Sequence, residues 1–234
     1  MSTQTYKRKF WVFILIRTVA NSLIIAGIIF AFVSFWPFIS QEVHYWWDNF
    51  RGQQYVIAGE TPKEVRKSSF GDILKAPPPI QVTPASTEFG IVIEKIDVNS
   101  PIAPNVDRSN YNEYIRALAK GVAHAKGTAV PGTRGQKNNN VFLFAHSAIN
   151  PIQAKKYNSV FYLLRKIEVG DRVITFYKGQ RFDYIVSDKR VVEATDVRYL
   201  TDISKDPILT LQTCDPPGSS LRRLIVTAKL DEGK

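Results

Sequence analysis

Residues 10–39 form a run of 30 positions carrying a single charge, Arg17, and about 20 apolar residues are enough to cross a bilayer. That run dictates how the rest of the chain is disposed. It is too long for the apolar core of an ordinary signal peptide, and no small-x-small cleavage site follows it, so the expectation is an uncleaved anchor over residues 18–39. Arg17 then reaches back to the inner interface beside Lys7, Arg8 and Lys9. Positive charge ahead of the span predicts a cytoplasmic N-terminus, residues 1–17, and an extracytoplasmic remainder, with Trp36, Tyr45, Trp46 and Trp47 as an outer aromatic belt.

Residues 40–87 mix aromatic, polar and Pro-containing pieces and end in Ala76-Pro77-Pro78-Pro79 and Thr83-Pro84. They read as a spacer with an extended polyproline end and a short helix at 60–67. From residue 89 the texture changes to short apolar runs between turn signals. Strands are expected at 90–96, 97–106, 141–146, 171–177, 181–188, 207–213 and from 222, with Lys178-Gly179-Gln180 as a hairpin turn. Two helices interrupt them: 111–120, with Asn110 as N-cap and Glu113 at the third position, and 159–167. Residues 88–234 are therefore mainly β with short helices, of the size of a closed or nearly closed barrel.

An apolar content of 44% supports a real core, and a formal charge of +10 suits an anionic neighbour such as a membrane surface or wall polymer. No basic-aromatic signature points to nucleic acid, so no such partner is expected. One cysteine cannot form an intramolecular disulfide, so the fold must stand on its core.

That cysteine, Cys214, ends a β run and is followed at once by Asp215-Pro216-Pro217-Gly218. A second run begins at about Arg222, so two antiparallel neighbours set a thiol beside a guanidinium. Nucleophilic cysteine chemistry also needs a proton carrier and a donor for the developing oxyanion. Of the three histidines, His44 lies in the aromatic belt, His124 sits among small residues ahead of a Gly/Pro-rich loop, and His146 ends the run Val141-Phe142-Leu143-Phe144-Ala145. The ends bearing His146, Cys214 and an arginine are expected to converge at one barrel mouth. Arg222 and Arg223 face opposite sides of a strand, so only one of them enters the site. No close His/Cys ligand pairs occur, so neither metal nor cofactor is expected, while a calcium requirement stays open.

Thr210-Leu211-Gln212-Thr213-Cys214 is similar to the Thr-Leu-x-Thr-Cys signature of sortases, and Arg223-Leu224-Ile225-Val226-Thr227-Ala228 resembles the arginine strand that follows it. Phe144-Ala145-His146, the Gly121-x-x-His124-x-x-Gly127-Thr128-x-x-Pro131-Gly132 segment and Gly170-Asp171 resemble further sortase positions. The resemblance covers about residues 88–234. It implies an eight-stranded sortase barrel and a membrane-anchored cysteine transpeptidase acting on secreted proteins with a C-terminal Leu-Pro-x-Thr-Gly-like signal. By the same resemblance Cys214 attacks the Thr carbonyl, His146 moves protons, and Arg223, favoured over Arg222 by the strand pattern, binds the signal backbone and the oxyanion. An amine from a cell-wall precursor or a pilin lysine resolves the thioacyl enzyme. Thr213 matches a substrate or oxyanion position, and His124 one with a structural or substrate-side role. Phe-Ala-His-Ser and the short Asp-Pro-Pro-Gly loop depart from many sortases and leave the subclass open.

Two other readings compete: a membrane-anchored β-barrel binding module without turnover, and another wall-acting cysteine enzyme such as an L,D-transpeptidase. The second sets His and Cys in one compact motif, unlike the widely separated His146 and Cys214 here.

Overall fold

The computed structural model describes residues 3–60, 77–147 and 159–232, and the chain divides into two compact units, residues 1–41 and 42–234. Helix α1 (Thr3–Arg51) contains an apolar part, Lys9–Trp36, long and apolar enough to cross a membrane, with none of its window buried in protein. The helix does not stop near residue 39 but runs to Arg51, through what the sequence suggested was spacer. Tertiary contacts account for this, because they outweigh local propensity. Within the second unit, Glu42 pairs with Arg165 and Lys166, Tyr45 packs on the main core, and the Lys166 ammonium lies 5.3 Å from the centre of the Tyr45 ring.

A parallel two-stranded ribbon follows, β1 (Tyr55–Ile57) with β2 (Ile80–Val82). Ile57 and Val82 cover Val92, Ile174 and Phe176. The expected helix at 60–67 lies, from residue 61, outside the described residues.

Strands β3 (Phe89–Ile93) and β4 (Val98–Val106), helix α2 (Tyr111–Leu118), strands β5 (Val122–Ala125), β6 (Asn140–Phe144), β7 (Arg172–Tyr177) and β8 (Gln180–Glu193), helix α3 (Arg198–Thr201), and strands β9 (Ile208–Asp215) and β10 (Arg222–Leu230) build the remainder. The eight strands from β3 close into a barrel in the order β10-β8-β7-β3-β4-β5-β6-β9, which leaves no open edge. Two neighbouring pairs, β4–β5 and β6–β9, are parallel. Such pairs require crossovers, and α2 and the residues between β6 and β9 supply them.

Local chemistry explains most element ends. Asn110 Oδ1 accepts the Glu113 N–H at 3.3 Å and caps α2, while the Glu113 carboxylate takes the Asp107 N–H at 3.0 Å rather than that of Asn110. Lys178 and Gly179, at φ 50° and 76°, make the two-residue hairpin turn between β7 and β8, where both positions need positive φ. Between residues 159 and 167 the chain forms a 3-10 turn, Tyr162–Lys166, rather than an α-helix. Phe161, Leu164 and Ile167 are all fully buried, and their spacing of three suits three residues per turn.

The interior is filled from every strand, with Ile102, Val122, Leu143, Leu209, Leu211, Leu224 and Val226 among its members. Side chains alternate along a strand, so Phe142, Phe144, Ala123 and Ala125 point out of the barrel, where they pack with Leu118 and Tyr114 of α2 and with Tyr199 and Leu200 of α3. This second, external core marks the wall that carries the site.

Candidate active site

The parallel pairing of β6 with β9 brings together residues far apart in sequence. Phe144 is in register with Gln212, and two positions further along each chain stand His146 and Cys214. The Ala145 N–H donates to the Gln212 carbonyl at 3.2 Å, and Thr213 Oγ1 donates to the Ala145 carbonyl at 2.9 Å, which ties the two strand ends together beside those residues. On the other side, the antiparallel pairing of β9 and β10 puts Cys214 directly opposite Arg223. A thiol, an imidazole and a guanidinium thus border one cleft of about 180 Å³.

The cleft opens on the outer wall of the barrel near the strand ends, and not into its mouth. Leu209, Leu211 and Leu143 face inward; period-two alternation then turns Gln212, Cys214, Phe144 and His146 outward. Arg222 goes the other way and pairs with Asp215 at 3.1 Å. Arg223 Nη1 donates to the carbonyls of Ser220 and Arg222, each at 3.0 Å, so backbone acceptors rather than a carboxylate hold this guanidinium.

Burial pulls the pKa of His146 below the usual histidine value and favours neutral imidazole. Thr213 lines the cleft, but its side chain is buried and its hydroxyl is committed to Ala145. His124 does not border the cleft. Its ring is buried, Nδ1 accepts the Asn105 N–H at 3.2 Å, and Nε2 therefore carries the proton donated to the Ala129 carbonyl at 2.9 Å. Burial lowers its pKa too. Gly121, three residues earlier, has φ 138°, and a Cβ there would come within 2.3 Å of Ser100 Oγ, so this part of the glycine pattern serves close packing of β5 on β4.

Several wall residues carried no sequence signal of their own. Tyr114 of α2 stacks on Phe144 with ring centres 5.6 Å apart; burial raises its hydroxyl pKa, as does the nearby Cys214, against the pull of Arg223 and Arg108. Arg108 comes from the β4–α2 connection, and Ala194, Asp196, Val197 and Leu200 from the β8–β9 connection. Three asparagines pin that second wall. Asn138 Oδ1 accepts the Ser204 N–H at 3.1 Å, and Asn139 Nδ2 donates to the Lys205 carbonyl at 2.6 Å. Asn140 Nδ2 donates to the Tyr199 carbonyl at 2.9 Å while its Oδ1 accepts from Thr210 at 2.9 Å. Among the described residues, no group of three or more His, Cys, Asp or Glu is placed to hold a metal ion.

A family model described as the sortase domain matches residues 91–231, from β3 to the residue after β10. The chain belongs to the sortase family. This sortase is similar in structure to sortase C-1 from Actinomyces oris, with 27% identity and a TM-score of 0.52 over 64% of this chain and 76% of that one. Sortase C1 from Streptococcus suis matches at 25% identity and a TM-score of 0.51, over 63% and 75% of the two chains. Sortase A from Corynebacterium diphtheriae, in a lid mutant, shares the fold at 24% identity and a TM-score of 0.51, over 64% and 72%. No match was found among curated proteins. Membership places the protein among transpeptidases, and the eight-stranded barrel inferred from sequence is the one observed.

Proposed function

We propose that this sortase is a membrane-anchored, extracytoplasmic cysteine transpeptidase that cleaves a Leu-Pro-x-Thr-Gly-like signal on secreted proteins and transfers them to an amine. The observation that supports this best is the double register that puts Cys214 opposite Arg223 and at the strand end beside His146. Cys214 Sγ attacks the Thr carbonyl carbon while its proton passes to His146, which burial keeps neutral and able to accept it. The carbonyl oxygen gains negative charge, and the Arg223 guanidinium opposite the sulfur stabilises it. As the C–N bond breaks, His146 returns the proton to the leaving amine, which leaves a thioester on Cys214. The incoming amine, from a cell-wall precursor or a pilin lysine, attacks that thioester; His146 takes its proton and passes it to the departing sulfur. Lys7, Arg8 and Lys9, ahead of Phe10 where the apolar run begins, hold the N-terminus in the cytoplasm and the barrel outside.

The full chain in detergent, incubated with a library of such peptides, is expected to give a mass shift on Cys214 equal to the acyl fragment. Cys214→Ala should give none, and His146→Ala should lower cleavage by about a thousandfold or more. Undiminished cleavage by Cys214→Ala would sink the proposal.

A further inference from the structure

Arg108 is the cleft group that the mechanism leaves unused. Its backbone is held firmly, because Asp107 Oδ1 accepts from the Ser109 N–H at 3.0 Å and from Ser109 Oγ at 2.6 Å, and Asp107 Oδ2 accepts from Lys126 Nζ at 3.1 Å. The adjacent carboxylate is therefore spent elsewhere. Among the described residues, no hydrogen bond or ion pair engages the Arg108 guanidinium. Asp196, the only carboxylate among the described residues of the cleft wall, is taken by Arg198 through contacts of 2.9 and 2.8 Å. The cleft thus presents two guanidiniums, Arg108 and Arg223, and no free carboxylate among the described residues. Arg108 as a whole is exposed, and contact with the cleft wall desolvates it enough to pull its pKa down.

Arg108, from the β4–α2 connection, borders the same cleft as Cys214 and Arg223. A substrate side chain near the scissile bond therefore enters a cleft that Arg108 lines. Arginine forms bidentate, charge-assisted bonds with a carboxylate, and such bonds gain strength where water is partly excluded. We propose that Arg108 is a specificity-determining residue that selects a carboxylate carried by a peptide substrate next to the reacting carbonyl. The inference rests on the transpeptidase reading of the cleft. The carboxylate has two sources, an acidic residue at the variable position of the signal or the free carboxylate of the amine acceptor, and the experiment separates them.

Full-length Cys214→Ala protein in detergent, which binds without turnover, is titrated with fluorescent peptides containing Leu-Pro-Glu-Thr-Gly or Leu-Pro-Gln-Thr-Gly. The Glu peptide is expected to bind about five- to tenfold more tightly. The preference should vanish in the Cys214→Ala/Arg108→Gln double variant, persist in part with Arg108→Lys, and weaken as salt rises from about 50 to about 500 mM. With Cys214 intact, transfer is compared between glycylglycine and its amide. A preference for the free carboxylate that Arg108→Gln removes, with no Glu/Gln difference in binding, assigns Arg108 to the acceptor. Equal handling of both peptides and of both acceptors, an unchanged preference in Arg108→Gln, or no binding of either peptide overturns the inference. Discrimination in binding with no acyl-enzyme in the intact chain would instead overturn the transpeptidase reading and leave Arg108 assigned.

Discussion

Two charged regions of the barrel unit differ in one respect, whether their cations are matched. Near the last turns of α1, Arg172 lies 2.9 Å from Glu60, 2.8 Å from Glu94 and 3.6 Å from Asp183. Arg181 is shared between Glu60 and Asp183, and Lys95 reaches Glu168 and Asp171 at 2.8 Å each. In the cleft, Arg223 has backbone carbonyls, and among the described residues Arg108 has no hydrogen bond or ion pair. A half-buried charge costs free energy unless it is paired, so the first set closes upon itself and fastens β1 and β7; Arg108 is exposed, and water meets its charge without a partner. On the proposed reading, carboxylate pairing marks the structural arginines of the first set, and its absence the two that face the substrate.

The contrast can be broken by exchanging the two kinds of arginine. Arg223→Lys keeps the charge but loses the planar fork, and is expected to lower kcat/KM for signal cleavage about a hundredfold or more while moving unfolding stability by less than about 0.5 kcal/mol. Peptide cleavage and thermal melting, measured on the same preparation, check both halves. Arg172→Met should do the reverse. Leaving Glu94 without its arginine and Glu60 with Arg181 alone should cost about 1–3 kcal/mol of stability, with cleavage well below the melting temperature unchanged within about twofold. A large loss of activity without loss of stability in that variant would erase the distinction.

The smallest expected effect concerns two histidines, the buried His124 and the partly buried His146. Burial lowers the folded-state pKa of His124 and His146 below the unfolded value, so the unfolded chain binds more protons as the solution is acidified. Their contribution to stability is intact above the unfolded histidine value, about 6.5, and declines as pH falls below it toward the folded values. Melting temperatures between pH 8 and pH 5, compared between the wild type and His124→Gln, should show a shallower acid decline in the variant. Equal slopes would mean that His124 is not held neutral by its burial.

Much of this was legible in the sequence, for physical reasons. Length and apolarity alone mark residues 10–39 as able to span a bilayer. The turn after Cys214 and the alternation in residues 207–213 and 222–230 anticipate the β9–β10 pair, and with it the meeting of Cys214 and Arg223. What failed did so where distant residues override local pattern. β5 is missed because Val122-Ala123-His124-Ala125 is only four residues long and buried on both faces, with Val122 turned to the barrel interior and Ala123 and Ala125 toward α2, so it shows no polar alternation. The extension of α1 to Arg51 depends on Glu42 and Tyr45 meeting residues more than a hundred positions away.

The available chemistry is written in the chain: one thiol, few imidazoles, an arginine pair at a strand start, and an apolar segment that precedes them. Which of these meet, and on which face, is set by the fold. The parallel β6–β9 register carries His146 to Cys214, strand alternation turns them to the outer wall, and Arg222 is drawn to Asp215 while Arg223 stays with the thiol. Registers between distant strands are set by packing across the closed barrel, which no local run of residues encodes. That is also why Arg108, unremarkable in sequence, is seen as an unmatched cation only once the fold has placed it in the cleft.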